Sequence, residues 1–167
     1  MTGSIDDRRI TVVEADLSRA DHQDATAGLL DAYSSDPMGA GRPLSEAARA
    51  NLIPGLRKHP TTMVFLAYRG VEPVGLAICF LGFSTFAARP LVNIHDFFVA
   101  PAMRGTGIGR LLMRAIEERA RQLGCCKLTL EVQENNHHAR GVYAAVGFSP
   151  AVHMAEAGGA LFLSKPL

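Results

Sequence analysis

Four apolar runs in the first hundred residues have the composition of β-strands. Residues 10–13 are rich in β-branched side chains and predict a first strand. Residues 61–68 and 74–83 flank a turn that contains Gly and Pro, so they predict a β-hairpin. Residues 91–99, with the sequence LVNIHDFFV, predict a further strand, after which the hydrophobic period changes.

Two helices are predicted between the first strand and the hairpin. Asp16 or Ser18 has the chemistry of an N-cap for the first helix, and the second helix is interrupted or ended near Pro54. Residues 34–43, between the two helices, are rich in Gly and Pro and predict a flexible loop.

The second half of the chain predicts two more helices and three more strands. The helices cover residues 108–123 and 136–146, and a glycine follows each of them and can end it. The strands cover residues 127–132, 148–154 and 160–163. Antiparallel runs with one strand–helix–strand crossover predict an α+β (mixed α/β) fold. Its mostly antiparallel central sheet has about six or seven strands flanked by about four helices.

Composition narrows the class of protein. A chain of 167 residues with 48% hydrophobic and 20% charged side chains fits one globular domain over residues 1–167. The formal charge of +1 predicts neither nucleic acid nor an anionic membrane as a partner. Three cysteines without disulfide spacing, and an N-terminus without an apolar signal segment, predict a cytoplasmic protein. Cys79 is interpreted as a core residue.

The most informative segment is the glycine-rich connection between the strand at residues 91–99 and the helix that follows it. Backbone amides at a helix start lack an intrahelical partner and carry about half a positive charge, so they bind phosphate oxygens. Glycine permits a positive φ and lets a ligand approach the main chain. Arg104 adds a cationic side chain, and Arg110 is a candidate for a second one. The connection contains Arg104, Gly105, Thr106, Gly107, Ile108 and Gly109.

Other glycine-rich loops are compared with this segment. A Walker A loop needs a lysine after its last glycine, but Arg110 follows Gly109, so this interpretation fails. A dinucleotide fingerprint that starts at Gly105 has Arg110 at its third glycine position. Because Glu131 lies about 20 residues further on, where a ribose-binding acid is expected, that alternative stays open. A tight connection that binds nothing is also open.

Two blocks of residues resemble a known family. Residues 96–99 followed by Arg104-x-x-Gly107-x-Gly109 resemble the acetyl-CoA motif of the GNAT N-acetyltransferase superfamily. Both blocks lie within residues 91–148 at the family's separation, and the motif style is nearest to the small-amine and diamine acetyltransferases. The second block consists of Leu130, Glu131, Val132, Asn135, Asn136, Ala139, Tyr143, Gly147 and Phe148.

The resemblance implies a cofactor site. Acetyl-CoA would be the cosubstrate, and no metal is expected. The backbone of Phe97, Phe98 and Val99 would pair with the pantetheine arm. The amides of residues 104–109 would hold the pyrophosphate, and Asn136 would hydrogen-bond the cofactor. The family fold also leaves a homodimer open.

The resemblance also implies catalytic residues. Tyr143 matches the tyrosine that protonates the departing CoA thiolate, and a phenol of pKa about 10 suits that transfer. A main-chain N–H near Phe98 can polarise the thioester carbonyl. His95 stands where related diamine acetyltransferases have a glutamate, so it is a candidate base. On an alternating strand His95 and Asp96 face opposite sides of the sheet, and Asp96 is interpreted as a structural residue that caps or hydrogen-bonds a neighbouring loop.

The predicted function is transfer of an acetyl group from acetyl-CoA to a primary amine by direct attack in a ternary complex. The amine belongs to a small molecule, or to a protein N-terminus or lysine. The alternatives are a non-catalytic acyl-CoA-binding or sensing domain and a nicotinamide-dinucleotide-binding oxidoreductase. Residues 34–43, residues 83–90 and the C-terminal hairpin are expected to bound the acceptor.

Overall fold

The computed structural model describes residues 9–150 and Lys165, and the chain divides into two compact units, residues 1–130 and 131–167. The expected single domain over the whole chain stays a prediction. The described elements are β1 (Ile10–Glu14), α1 (Ala20–Ser35), α2 (Glu46–Lys58), β2 (Thr62–Arg69), β3 (Glu72–Ser84), β4 (Arg89–Val99), α3 (Ile108–Gln122), β5 (Leu128–Leu130) and α4 (His137–Ala145).

One sheet organises the first unit, with the strand order β1-β2-β3-β4-β5. The first three pairings are antiparallel, and β4 pairs with β5 in parallel because the connection through α3 returns the chain in the same direction. The predicted α+β class and its mostly antiparallel sheet are confirmed. The described residues contain five strands rather than six or seven. Most of the predicted closing strands at residues 148–154 and 160–163 lies outside the described residues.

Apolar side chains on both faces of the sheet are covered by helices. On one face, which we call the α1/α2 face, a core cluster joins the sheet to both of those helices. On the other face α3 packs closely, because a Cβ on Gly75 of β3 would lie only 3.0 Å from Cδ1 of Leu112. The cluster on the α1/α2 face contains Ala25, Leu29, Leu56, Val64, Leu66, Leu76, Ile78 and Phe98.

The observed helix ends can be compared with the glycines and the N-cap residues predicted for them. Gly124 after α3 has φ +69° and Gly147 after α4 has φ +96°, so both glycines end their helices in the left-handed conformation as predicted. The predicted N-cap of α1 is wrong. Oδ1 of Asp16 accepts the amide of Ser18 at 2.8 Å in a local turn, and α1 begins later, with Arg19 as its N-cap.

The second helix also differs from its prediction, because α2 continues through Pro54 to Lys58. Proline in a helix interior costs about 3 kcal/mol, since it removes one hydrogen bond and crowds the preceding turn. Leu56 lies beyond the proline and is buried in the core cluster of the α1/α2 face. Tertiary packing therefore overrides a local signal that was interpreted as a stop.

The loop between α1 and α2, residues 36–45, is fastened to the end of α1 rather than being an open, flexible connection. The hydroxyl of Ser34 donates to the carbonyl of Arg42 at 2.7 Å, and the amide of Leu44 donates to Oδ1 of Asp31 at 2.9 Å. A Cβ on Gly39 would lie 2.1 Å from the Tyr33 carbonyl oxygen, so this tight turn requires glycine. The predicted flexibility missed these contacts because they link residues distant in sequence.

Candidate active site

The connection from β4 to α3 adopts a conformation that depends on glycine. Gly105 has φ +79° and Gly107 has φ +91°, and both lie in the left-handed region that penalises other side chains. Gly107 is also the N-cap residue of α3 and has no side chain with which to cap the helix. The helix therefore begins with its first amides uncapped by its own N-cap residue.

Six consecutive amides of this connection lack a partner. Within the described part of the chain, the N–H groups of residues 105–110 donate to no backbone carbonyl and no side chain. The amides on either side are used, because that of Arg104 donates to Pro101 at 3.3 Å and that of Leu111 donates to Gly107 at 3.2 Å. We call residues 105–110 the amide nest. Unpartnered amides at a helix start favour an anionic ligand.

Gly109 differs from the other two glycines of the connection. It lies in the first turn of α3, and a Cβ there would sit 3.6 Å from Cε1 of Phe97, an ordinary van der Waals contact. Neither its backbone conformation nor the packing of the described chain requires glycine at this position. Its missing side chain instead leaves the surface of the helix start open to close approach by a ligand.

The side chain of Arg104 is directed to other parts of the first unit. Its Nη2 lies 2.5 Å from Oδ2 of Asp36, and its Nε donates to the Val99 carbonyl at 3.1 Å. The guanidinium carbon also lies 5.7 Å from the ring centroid of Phe98. Arg104 therefore links the end of β4 to the end of α1, and the contribution of its charge to phosphate binding stays a prediction. Arg110 is exposed in the first turn of α3.

Asp36, the partner of Arg104, is a buried acid, whereas sequence reasoning interprets it as a solvated turn residue, with attraction of an amine as the alternative. Burial acts to raise the pKa of its carboxyl group, but hydrogen bonds from the Met38 amide and the Arg104 guanidinium outweigh that effect and lower it. The carboxylate is therefore ionised and neutralised by Arg104 at neutral pH. Sequence reasoning missed the pairing of Asp36 with Arg104 because the two residues are 68 positions apart in the chain.

The last residues of β4 extend beyond their neighbouring strand. Pairing of β4 with β5 covers Val92 to Ile94 only, whereas β4 continues to Val99. Phe97, Phe98 and Val99, which were predicted to bind the pantetheine arm, lie beyond the last residue that pairs with β5 and lead into the amide nest.

A β-bulge changes the prediction for His95 and Asp96. Ile78 of β3 is opposite Asp96, but the next residue, Cys79, is opposite Ile94, so His95 is an extra residue in β4. The ring of His95 lies 5.6 Å from that of Phe80, which packs against the core cluster of the α1/α2 face. Side chains of directly opposite residues lie on the same face of a sheet, and Ile78, which is opposite Asp96, belongs to that cluster. Asp96 and His95 therefore both lie on the α1/α2 face. The prediction of opposite faces is wrong, since the bulge interrupts the alternation.

Asp96 is a half-buried acid on this face of β4. No hydrogen bond or ion pair reaches its carboxylate from the residues that the structure describes, so the predicted loop contact is absent there. Burial raises the pKa of Asp96, and the nearby His95 acts in the opposite direction. Burial also raises the pKa of Tyr33, and the charge of Asp96 adds to the effect.

Several aromatic rings lie on the same α1/α2 face as this acid. Phe80 lies between two imidazoles, at 4.8 Å from His59 and 5.6 Å from His95, with edge-to-face geometry in both pairs. Tyr33 of α1 packs on Phe98 at 5.7 Å. Sequence reasoning missed Tyr33, His59 and Phe80 as site residues, because they come from three elements and carry no local motif.

The second unit contains the remaining predicted site residues. Asn136 is the N-cap of α4, and its Oδ1 accepts the Ala139 amide at 3.1 Å. Its Nδ2 has no partner among the described residues and keeps its donor capacity. Tyr143 is 8% exposed, and its ring lies 5.9 Å from that of Phe148. These contacts explain how α4 is held and leave both predicted roles untested.

Other candidate chemistry is limited within the described residues. Cys79 is fully buried, as predicted, and burial raises its pKa to about 12, so the thiol is neutral. No group of three or more His, Cys, Asp or Glu side chains in residues 9–150 is arranged to hold a metal ion. In the same part of the chain, every helix is too short or too polar to cross a membrane.

Known proteins share parts of this sequence. Thialysine N-epsilon-acetyltransferase of Caenorhabditis elegans is 30% identical over 84 residues, which are 50% of this chain and 52% of that protein. Streptothricin acetyltransferase of Streptomyces lavendulae is 41% identical over 70 residues, or 42% of this chain and 37% of that protein. The chain thus matches about half or less of the length of these relatives.

Solved structures share the fold over nearly the whole chain. A probable acetyltransferase superposes with a TM-score of 0.76 at 21% identity and covers 93% of this chain and 99% of its own. The complex of AAC(6')-Iy with a CoA-containing bisubstrate analogue has a TM-score of 0.72 at 17% identity and covers 95% and 99%. The model of the Acetyltransferase (GNAT) family matches residues 26–148, which include β4, the amide nest and α4. This chain therefore belongs to the GNAT acetyltransferase family.

Proposed function

We propose that the chain is an acyl-CoA-dependent N-acetyltransferase that transfers acetyl from acetyl-CoA to the primary amine of a small molecule by direct attack in a ternary complex. The observation that carries the proposal is the amide nest, whose six N–H groups, just before and within the first turn of α3, have no partner in the described part of the chain. Family membership supports the donor. The relatives named for thialysine and streptothricin support an amine acceptor. A cytoplasmic location is part of the same proposal.

The cofactor follows the chain from β4 into α3. The pyrophosphate accepts hydrogen bonds from residues 105–110, where the helix dipole adds a favourable field. The pantetheine arm lies along Phe97, Phe98 and Val99, on the part of β4 that extends past β5. Nδ2 of Asn136 donates a further hydrogen bond. Positions 105, 107 and 109 lack side chains, which permits this close approach.

The acceptor amine binds on the α1/α2 face. A half-buried carboxylate without a partner costs free energy, and a cationic ligand offsets that cost. Asp96 therefore provides the recognition of an ammonium group, and the rings of Tyr33 and Phe80 flank it. Because an ammonium ion has no lone pair, it must lose a proton before attack. His95, brought to the same face by the bulge, accepts that proton directly or through a water molecule.

The chemistry then requires one addition and one elimination. The amine nitrogen attacks the thioester carbonyl carbon, and a main-chain N–H near Phe98 stabilises the developing oxyanion. The attacking nitrogen of the tetrahedral intermediate loses its second proton to solvent, the intermediate collapses with cleavage of the C–S bond, and the CoA thiolate takes a proton from the hydroxyl of Tyr143. The proton held by His95 passes to solvent, and solvent restores the phenol. The products are the N-acetyl amine and free CoA.

Release of the CoA thiol in the presence of acetyl-CoA and a panel of amines tests this proposal. Turnover is expected with at least one amine. Tyr143→Phe should lower kcat by about 100-fold or more while the Kd for CoA stays within about twofold, because general acid catalysis typically contributes factors of that size. Unchanged turnover in Tyr143→Phe would remove Tyr143 from the mechanism.

A binding comparison separates the other classes of function. Thermal stabilisation by CoA without turnover on any amine would favour a sensing domain. Stabilisation by NAD or NADP rather than CoA would contradict the proposal. The antiparallel pairings of β1 to β4 already disfavour the dinucleotide alternative, because that fingerprint belongs to mostly parallel, doubly wound sheets.

A further inference from the structure

Arg104 begins the cofactor-binding segment, yet its side chain contacts residues outside that segment. The guanidinium joins the carbonyl of Val99, the ring of Phe98 and the carboxylate of Asp36. Its two polar contacts use different nitrogens, Nε and Nη2, so the planar fork is fixed in orientation as well as position. The end of α1 is therefore connected to the end of β4 through one side chain.

The carboxylate of Asp36 is divided between two segments of the chain. Its Oδ1 accepts the amide of Met38 at 2.8 Å, and its Oδ2 lies 2.5 Å from Nη2 of Arg104. The side chain of Asp36 is only 6% exposed, in contrast to surface ion pairs that contribute little. Loss of the partner would leave a buried, unpaired charge. The carboxylate of Asp36 thus joins the α1–α2 loop to the turn at Arg104 that precedes the amide nest.

The α1–α2 loop, residues 36–45, is held together by contacts with the last turns of α1. Gly39 packs against the carbonyl of Tyr33, Ser34 binds Arg42, and Asp31 binds the amide of Leu44. These internal contacts fix the loop to the last turns of α1, whereas the contact of Asp36 with Arg104 connects it to the turn that precedes the amide nest. Asp36 therefore connects this internally bonded loop to the turn that precedes the amide nest.

We propose that Asp36 is a positioning residue that couples occupancy of the amide nest to the order of the α1–α2 loop, by holding Arg104 between the two. The inference rests on the proposed function of the nest as the CoA site. The loop is also one of the segments expected to bound the acceptor. Because coupling between sites is reciprocal, an acceptor that orders the loop raises the affinity for CoA by the same factor.

Hydrogen exchange of the full-length protein with and without CoA tests the coupling. In the wild type, CoA should slow exchange at residues 105–110 and also at residues 36–45. In Asp36→Asn, protection of residues 105–110 should persist at saturating CoA. The CoA-dependent slowing at residues 36–45 should fall by about fivefold or more, the lower end of typical coupling between sites.

Two further variants make the result specific. Arg104→Lys keeps the charge but loses the fork that reaches Val99 and Asp36 together, so it should reproduce the loss in Asp36→Asn. Asp31→Asn is the matched control, because Asp31 binds the loop at Leu44 and an arginine of α2, Arg49, but not the turn. It should raise basal exchange of the loop and keep the CoA-dependent slowing.

The outcomes are distinguishable. Full CoA-dependent slowing at residues 36–45 in both Asp36→Asn and Arg104→Lys would overturn the coupling, as would its absence in the wild type when residues 105–110 are protected. If CoA protects neither segment of the wild type, the proposed function itself fails and the coupling fails with it.

Discussion

The two ends of the candidate site, the amide nest after β4 and the α1/α2 face around Asp96, depend on different parts of the chain. The nest consists of main-chain N–H groups, and its side chains matter mainly by being absent at residues 105, 107 and 109. The α1/α2 face depends on side chains from α1, β3 and β4. From this comparison we expect that side chains added at the glycines weaken binding of acetyl-CoA. Substitutions that change charge on the α1/α2 face should instead weaken binding of the amine.

The largest effect that separates the two ends is expected from Asp96→Asn. Loss of a charged hydrogen-bond partner for the amine should lower kcat/KM for a cationic acceptor by about 10- to 100-fold, since such a partner contributes about 1.5–3 kcal/mol. The Kd for CoA should stay unchanged, because Asp96 lies outside the amide nest. Steady-state kinetics with isothermal titration of CoA provides both values, and an equal loss of CoA affinity would contradict the separation.

Asp96→Asn should also change the free energy of unfolding in a way that depends on pH. Burial raises the pKa of Asp96, so the folded protein holds this proton more tightly than the unfolded chain. Ionisation at a pH above the folded-state value therefore costs stability, and the cost disappears below the unfolded value, about 4. Asp96→Asn should be more stable than the wild type in urea at pH 7, and the difference should shrink as the pH approaches 4.

Sequence reasoning located the amide nest but not the side chains of the α1/α2 face, and the reason is physical. The nest is local, and glycines at fixed offsets before an amphipathic helix predicted its place, whereas the ligand assigned to it stays a prediction. The α1/α2 face is assembled by a bulge at His95 and by residues of distant elements, such as Tyr33 and Phe80. A bulge has no signature in the alternation of a strand, so the two faces of β4 were assigned incorrectly.

An intermediate effect is expected from Gly109→Ala. The added methyl group should weaken CoA binding by about tenfold, because it occupies space next to the nest amides. It should not destabilise the fold, since its Cβ has an ordinary contact at 3.6 Å and alanine favours a helix over glycine by about 1 kcal/mol. Urea unfolding and calorimetric titration measure the two quantities.

Gly107→Ala is the contrasting variant for this prediction. Its φ of +91° penalises a side chain, so the fold should lose about 1–2 kcal/mol. Retention of wild-type CoA affinity in Gly109→Ala would mean that the ligand does not approach the first turn of α3.

The smallest effect concerns Asp36, which lies between the two ends. Burial acts to raise its pKa, but the Met38 amide and Arg104 lower it overall, so its contacts stabilise the fold above the unfolded value and are lost as the pH falls through the folded value. Asp36→Asn should therefore be less stable than the wild type at pH 7, and the gap should narrow as the pH falls below the unfolded value of about 4. A gap of constant size in urea unfolding would exclude ionisation of Asp36 as its source.

Titration of the 15N-labelled protein, followed by amide NMR shifts, tests the central claim most directly. Coenzyme A should shift the amides of residues 105–110 as the pyrophosphate accepts their hydrogen bonds, and pantetheine, which lacks the pyrophosphate, should leave them in place. Binding of coenzyme A with these six amides unmoved would contradict the account.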